Sequence, residues 1–387
     1  MKKSLVFLAM FGVGAAAQAQ SSVTLYGAID AGVTYTSNQQ VAHPGGNMGG
    51  RSAVQATSGN TAASVFGLKG SEDLGGGNQV VFQLENGFNA TTGRLGRNNT
   101  LFDRIATVGL ASKHLGTLQV GRLYDSATDF VSPFSFSNTL GTQFASHPGD
   151  VDNLNQSFNL SNAIKYTSPD YYGLQFGGTY SLGGQPGSFS RNSAYSLGAN
   201  YSLGGFSAGI GYLSVNNPMS AVYSVSKQGD SNDYTGAFDC TSGPGCALQN
   251  VRHMHMAALG AAYDFGAIKL GGVVSRTALN GNESTDQPYA GTDSRYDNYE
   301  VNAVYTANDQ LKVGVAYTFT HAKMANKNGN INQVNLGGEY ALSKRTALYS
   351  SLIYQAGQRG SFAQIANLPA SSEDKQVAAT VGVRHVF

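Results

Sequence analysis

Apolar and polar positions take turns along most of the chain from Val23 to Phe387. Leu174, Phe176, Tyr180 and Leu182 alternate with Gln175, Gly177, Thr179 and Ser181. Leu311, Val313, Val315, Tyr317 and Phe319 alternate with Lys312, Gly314, Ala316, Thr318 and Thr320. A period of two places one set on each face of a strand. Pairs of such segments are joined by very short connections: EDLGGGN (72–78), SKHLG (112–116), SPDYYG (168–173), SLGG (202–205), DFGA (264–267), TANDQ (306–310) and LSKR (342–345). These seven tight turns predict fourteen strands; Val23 to Thr36 adds a first and Gln376 to Phe387 a last, giving sixteen. Longer polar stretches lie near 37–60, 92–100, 124–160, 184–192, 216–250, 280–295, 322–330 and 357–375.

That short/long rhythm predicts an all-β fold: a 16-stranded antiparallel transmembrane β-barrel with short periplasmic turns and long extracellular loops. An even count lets the first and last strands meet antiparallel. Closure then leaves no unpaired edge in lipid, where each unsatisfied backbone group costs several kcal/mol. A soluble all-β sandwich would account for the alternation, but not for the rhythm or for tyrosines near the segment ends. Trp is absent, so the 21 tyrosines must supply any aromatic girdle at the membrane interfaces. A barrel of about eight strands is filled by its own side chains, whereas sixteen leave an aqueous channel. The architecture implies a pore and does not imply an enzyme.

The N-terminus adds a compartment. Lys2 and Lys3 precede an apolar run from Leu5 to Ala17 and a small-x-small site, Ala17-Gln18-Ala19. This is the layout of a secretory signal peptide over 1–19, leaving a barrel domain over 20–387. A retained anchor is the alternative, but the run falls short of the roughly 20 residues a spanning helix needs. Removing Lys2 and Lys3 takes the basic count from 24 to 22, against 23 acids. A chain this close to neutral lacks the basic footprint of a nucleic-acid partner. Charged residues make up 12% of the chain, about half the usual share of soluble domains.

VTLYG at 23–27, GLKGSEDLGGG at 67–77, FQLENGF at 82–88, VGR followed by YD within 120–125, and terminal Phe387 carry a family resemblance. On these residues the chain resembles the Gram-negative general porins, most closely the betaproteobacterial type, over its whole mature length. The resemblance implies a homotrimer of sixteen-stranded barrels in the outer membrane, among its lipid and lipopolysaccharide. It implies passive diffusion of small hydrophilic solutes and ions, with no cofactor. It also implies a third loop folded inward to narrow the pore, its acids facing basic residues on the wall. The terminal aromatic, Phe387, is the family's assembly signal for the barrel-assembly machinery.

The third long stretch, 124–160, has the right place in the chain. By resemblance Asp125 and Asp129 sit nearest the constriction, with Pro133 and Phe134 stiffening the fold-in. Parity selects Lys69, Arg104 and Lys165 for the opposing wall, and Glu85 as an inward acid. Arg122 shares the parity of Leu118 and Val120, so it needs a bulge or a place at the rim. Val65 stands where the family usually carries Arg, which removes a positive charge and points to weak selectivity. Transverse charge between loop and wall would orient water and dipolar solutes, with radius and lining charge deciding passage.

Other motifs carry less. Gly205 to Gly209 fits G-x-S-x-G, but runs from a tight turn into a strand rather than into a helix. His253 and His255 share a strand face and could ligate a metal, or simply sit solvated at the rim. DVDN at 150–153 hints at a calcium loop, yet Leu154 occupies the next ligand position. Cys240 and Cys246, in CTSGPGC of an exported chain, predict a disulfide across the fifth long loop. A barrel enzyme would need a catalytic constellation at the rim, and none converges. A substrate-specific channel would show a lumenal track of aromatics and bases, whereas the tyrosines have mostly outward parity.

Overall fold

The computed structural model describes residues 22–42, 48–96, 100–222, 251–281, 293–324, 327–358 and 363–387. The expected signal peptide and the Cys240–Cys246 pair lie outside the described residues. The strands are β1 (Ser22–Ala42), β2 (Met48–Ser58), β3 (Val65–Gly75), β4 (Asn78–Gly87), β5 (Ile105–Ser112), β6 (Gly116–Leu123), β7 (Leu160–Thr167), β8 (Leu174–Ser181) and β9 (Ala194–Leu203). They continue with β10 (Phe206–Asn216), β11 (His253–Asp264), β12 (Ile268–Asn280), β13 (Ser294–Thr306), β14 (Leu311–Met324), β15 (Lys327–Ala341), β16 (Thr346–Gln358) and β17 (Lys375–Val386).

Each alternating segment becomes a strand whose apolar series faces out and whose polar series faces in. The usual distribution is therefore inverted: Leu25, Leu197 and Val301 are exposed, while Thr34, Thr320 and Gln333 are buried. That inversion suits a barrel whose outer solvent is hydrocarbon and whose lumen holds water. Every neighbouring pair is antiparallel, and β17 closes on β1 with Val386 opposite Ala28 and Ala378 opposite Thr36. Beyond that register the Gly27 N–H donates to the Phe387 carbonyl at 3.2 Å, and the Phe387 N–H donates back at 3.0 Å. The terminal residue thus completes the seam with the VTLYG strand.

β1 is unusually long at 21 residues, and its second edge pairs twice. Ala31 to Ala42 pair with β2, and Ser22 to Ala28 pair with β3. The residues between β2 and β3, 59–64, leave the wall and turn into the lumen. Seventeen segments therefore fill sixteen barrel positions. Two stretches read as long connections, 37–60 and 322–330, are largely strand. Both ends of these hairpins stand clear of the hydrocarbon, so polar residues line both faces and the alternation that marks a strand is lost.

The third connection, 124–159, folds inside the barrel as α1 (Ser126–Val131) followed by four short 3-10 turns. Phe136, Phe144, Phe158 and Leu154 on it are fully buried. The wall beneath is lined with inward glycines on β8, β9, β10, β11, β14 and β15. A Cβ added to Gly211 would lie 2.6 Å from the Ala127 Cα, and one on Gly260 2.6 Å from the Phe134 ring. Only a bare backbone lets the loop lie this close. Around the barrel, β5 to β8 have 8 residues each, whereas β11 to β16 have 12 to 15.

Candidate channel constriction

Three inward elements converge on one polar cavity of about 550 Å³. Ser137, Asn138 and 155–157 come from the third loop, 59–64 from the inward turn, and Glu85 and Arg104 from the wall; Asn367, from the last long connection, completes it.

The turn at 59–64 is pinned by Asp30, an acid fully buried on the inward face of β1. Its Oδ2 accepts from the Thr61 N–H at 2.7 Å, the Thr61 hydroxyl at 2.7 Å and the Ala62 N–H at 3.0 Å. Its Oδ1 accepts from the Tyr349 hydroxyl at 2.5 Å, and Asn60 Nδ2 donates to that hydroxyl at 2.7 Å. The Gln143 N–H donates to the Asn60 carbonyl at 2.6 Å, which joins the turn to the third loop. Asp30 belongs to no motif; its signal in the sequence is an acid at an inward position between Ile29 and Ala31.

The expected wall residues fall into one chain of contacts. Arg104 Nε donates to Glu85 Oε1 at 2.8 Å, and its guanidinium lies 5.5 Å from the centre of the Tyr124 ring. Burial alone would lower the Arg104 pKa, but Tyr124 and Glu85 outweigh it and raise it, so the charge is permanent. Glu85 also accepts from the Tyr26 hydroxyl at 2.9 Å. Lys69 rests over the Tyr26 ring, 5.1 Å from its centre, and is itself exposed. Lys69, Glu85 and Arg104 therefore share one wall, with only the last two on the cavity.

Lys165 is nine-tenths buried and ion-paired to Asp129 on α1, and it also donates to the Tyr124 carbonyl at 3.1 Å. A loop acid does meet a wall base here, but against the barrel rather than across the passage. Asp125 departs further from the expectation. It is fully buried as the N-cap of α1, accepting from the Thr128 N–H at 2.9 Å, the Thr128 hydroxyl at 2.7 Å, Asn153 at 3.0 Å and Ser196 at 3.1 Å. Its carboxylate anchors the loop instead of lining the pore. Pro133 and Phe134 lie in the first 3-10 turn, as a stiffened fold-in requires.

Arg122 reaches the inward side by the bulge its parity demanded. The register of β6 against β7 shifts between Gly121 and Leu123, and Gly121 takes a φ of +136°, open to glycine. The Arg122 guanidinium then bonds the Asp103 carbonyl and, at 2.7 Å, the Ser161 hydroxyl.

The second half of the loop is held by charge. His147 Nδ1 lies 2.6 Å from Asp152 Oδ2 and its Nε2 lies 3.3 Å from Glu300 Oε2, all three buried. Burial alone would lower the His147 pKa, but Asp152 and Glu300 outweigh it and raise it well above the ordinary value. Burial, then the Asp152 charge, push Asp150 up to about 7. The DVDN acids are thus engaged: Asp150 accepts from Ser157 at 2.6 Å and Asn155 at 2.8 Å, and Asp152 from Ser275 and from Asn298 at 3.2 Å. Among the described residues no group of His, Cys, Asp and Glu could hold a metal ion. His253 and His255 stack on each other, with ring centres 6.1 Å apart, and bond Asn216 and Tyr212. Gly205 to Gly209 opens β10 and runs on as strand to Asn216, not straight into a helix as a nucleophile elbow requires.

A family model described as Gram-negative porin matches residues 4–358 of the chain. An outer membrane porin of Bordetella pertussis is 30% identical over 413 residues, covering all of both chains. Among solved structures, an anion-selective porin from Comamonas acidovorans superposes with a TM-score of 0.72 at 23% identity, over 95% of this chain and all of that one. An in-vitro folded outer membrane protein of Vibrio cholerae, in its trimer form, gives 0.62 at 13% identity over 95% and 99%. Fold and family together point to a channel rather than an enzyme. A closed sixteen-position barrel with a water-facing lumen, matched along nearly its whole length, places this chain among the Gram-negative porins, diffusion channels of the outer membrane.

Proposed function

We propose that this porin is a general diffusion pore for small hydrophilic solutes and ions, with weak charge selectivity. The observation that carries the reading is the pairing of the charges at the narrow point. Arg104 sits on Glu85 at the cavity, and Lys165 is consumed by Asp129 against the barrel, so the charges expected at the constriction are neutralised in pairs. The Comamonas acidovorans porin is called anion-selective; here Val65 replaces a base that the family usually carries. Reversal potentials across a salt gradient in planar bilayers test the reading. The expected outcome is a large ohmic conductance with close to equal anion and cation permeability. A several-fold anion preference would overturn weak selectivity, and saturable block by one solute at low concentration would overturn a general pore.

The working unit is a homotrimer. Strands β5 to β8, at 8 residues, fall short of the about 9–11 that cross the hydrocarbon. A neighbouring copy covering that low wall supplies what lipid cannot. Three equal conductance steps, and a heat-sensitive oligomer band in gels, are expected. Phe387 is the residue the barrel-assembly machinery reads. Deleting it lowers the yield of assembled oligomer far more than the conductance of what assembles, and an unchanged yield would refute this role.

A further inference from the structure

The outer surface carries a groove that the channel does not use. It has a volume of about 750 Å³ and runs across the outward faces of β9 to β13. Its floor is made by a small residue between larger ones: Ala257 lies opposite Tyr212 on one side and Arg276 on the other. Leu197, Ile210, Leu259 and Val274 supply its apolar walls. The groove ends in charge. Arg276 Nε lies 2.5 Å from Asp297 Oδ1, and Arg295 Nε lies 3.0 Å from Oδ2 of the same carboxylate.

The level of these charges along the strands is the decisive point. On β13 and β14 the apolar outward series ends at Tyr299 opposite Phe319, two stacked rings 6.3 Å apart. Such an aromatic rung marks the boundary of the hydrocarbon. The next rung toward the long loops pairs Asp297 with His321, and the one after pairs Arg295 with Lys323. Arg276 lies opposite Asp297 as well, so among the described residues three cations, Arg276, Arg295 and Lys323, stand with one acid on these lipid-facing rungs, at headgroup height. Asp293 is the next acid, and it is occupied by Asn280 and the Gly281 N–H. Asp297 is buried while the Arg276 side chain is 58% exposed and that of Arg295 is 43% exposed. One carboxylate thus splays two guanidinium groups and leaves their outer N–H donors facing the membrane surface. Guanidinium groups held apart in this way suit a phosphate, which takes paired N–H donors.

We propose that this groove binds an anionic lipid of the outer leaflet, one acyl chain lying over Ala257 and its phosphate held by Arg276 and Arg295. The inference rests on the outer-membrane reading above and gives the lipid partner a site. The long strands here, unlike the low wall of β5 to β8, leave this face to lipid rather than to a second copy.

The test uses the purified, delipidated channel in neutral detergent, with bound lipid counted by native mass spectrometry. The probes are a bis-phosphorylated glycolipid, phosphatidylcholine and inorganic phosphate. Wild type is expected to retain the phosphorylated lipid, to prefer it over phosphatidylcholine, and to keep it when millimolar phosphate is added. The R276Q/R295Q pair should bind it roughly thirtyfold more weakly, following the contribution of each basic residue near an anionic surface. Ala257→Leu, which fills the groove while keeping both guanidinium groups, should weaken it similarly. Lys269→Gln, at the opposite end of β12, should leave it unchanged. If the double variant assembles poorly, Arg276→Gln alone carries the charge arm. Equal retention by the Arg variants, or no preference over phosphatidylcholine, would overturn the proposal. Displacement by inorganic phosphate would make the site one for free anions and overturn it equally. Conductance is recorded on the same samples. Its absence in wild type would defeat the channel reading, whereas full conductance with no lipid preference would defeat only the groove.

Discussion

The third loop is fastened to the wall in two different ways along its length. Its first half lies on glycines: Phe130, Phe134, Phe136 and Leu140 occupy the space that side chains at Gly198, Gly260, Gly314 and Gly337 would fill. Its second half hangs from ions, His147 between Asp152 and Glu300. Glu300 links the two, because its Oε1 also accepts from the Phe136 N–H at 2.8 Å. An apolar anchor on bare backbone tolerates changes of pH and salt but no added volume. A buried ionic anchor tolerates small changes of shape but not the loss of a partner charge.

Four experiments separate the halves. The largest effect is expected from His147→Leu, which leaves Asp152 and Glu300 facing each other unpaired. Removing one partner of a buried charge network costs about 3–5 kcal/mol, read as a lower unfolding temperature of the barrel and as noisy, enlarged single-channel steps. Gly211→Val comes next. Its side chain must displace Ala127, at about 1–3 kcal/mol for overpacking, and the resulting noise should be the same at every pH.

Alkalinity is the third probe, and it acts on the ionic half alone. A pKa raised in the fold favours the protonated form there, so each contribution is complete below the ordinary value and fades as pH climbs through the raised one. For Asp150 the loss runs from 3.8 to about 7. For His147 it comes later, in the alkaline range above its ordinary 6.5. Raising the pH from about 5 to about 9 should therefore increase subconductance events, and His147→Leu should remove the alkaline part of that dependence while leaving the part that Asp150 contributes below about 7. The smallest effect is expected from Asp129→Asn. The substitution leaves an amide oxygen that can still accept from the buried Lys165, which also keeps the Tyr124 carbonyl, so stability should fall less than in the other variants while reversal potentials shift slightly toward anions.

These contrasts also explain what the sequence disclosed. The hairpins were legible because lipid and water impose opposite demands on alternate residues, and that conflict writes a period of two. Where a strand runs beyond the apolar outer band, as at 37–42 and 48–53, the conflict ends and the strand looks like a loop. Arg122 was legible as an anomaly, since its wrong parity called for a bulge or a place at the rim, and the register shift after Gly121 is the bulge. Lys69, Glu85 and Arg104 were found on the wall by parity alone. What parity cannot tell is whether an inward charge meets water or another part of the chain. Asp125 and Asp30 are both inward acids, and both are consumed by backbone N–H and hydroxyl groups. Nor does an inward glycine announce that a loop lies on it.

The pin at Asp30 has a consequence for the order of events during assembly. The turn it holds, 59–64, comes from early in the chain, yet Tyr349 lies near the other end, and Arg384 on the last strand reaches the Thr61 hydroxyl at 3.5 Å. The narrow point therefore draws on the earliest and latest parts of the polypeptide at once. A half-built barrel has strands in the bilayer but no finished eyelet. The strand pair that seals the wall thus also carries residues that set the aperture, so closing the barrel and shaping its eyelet are one event.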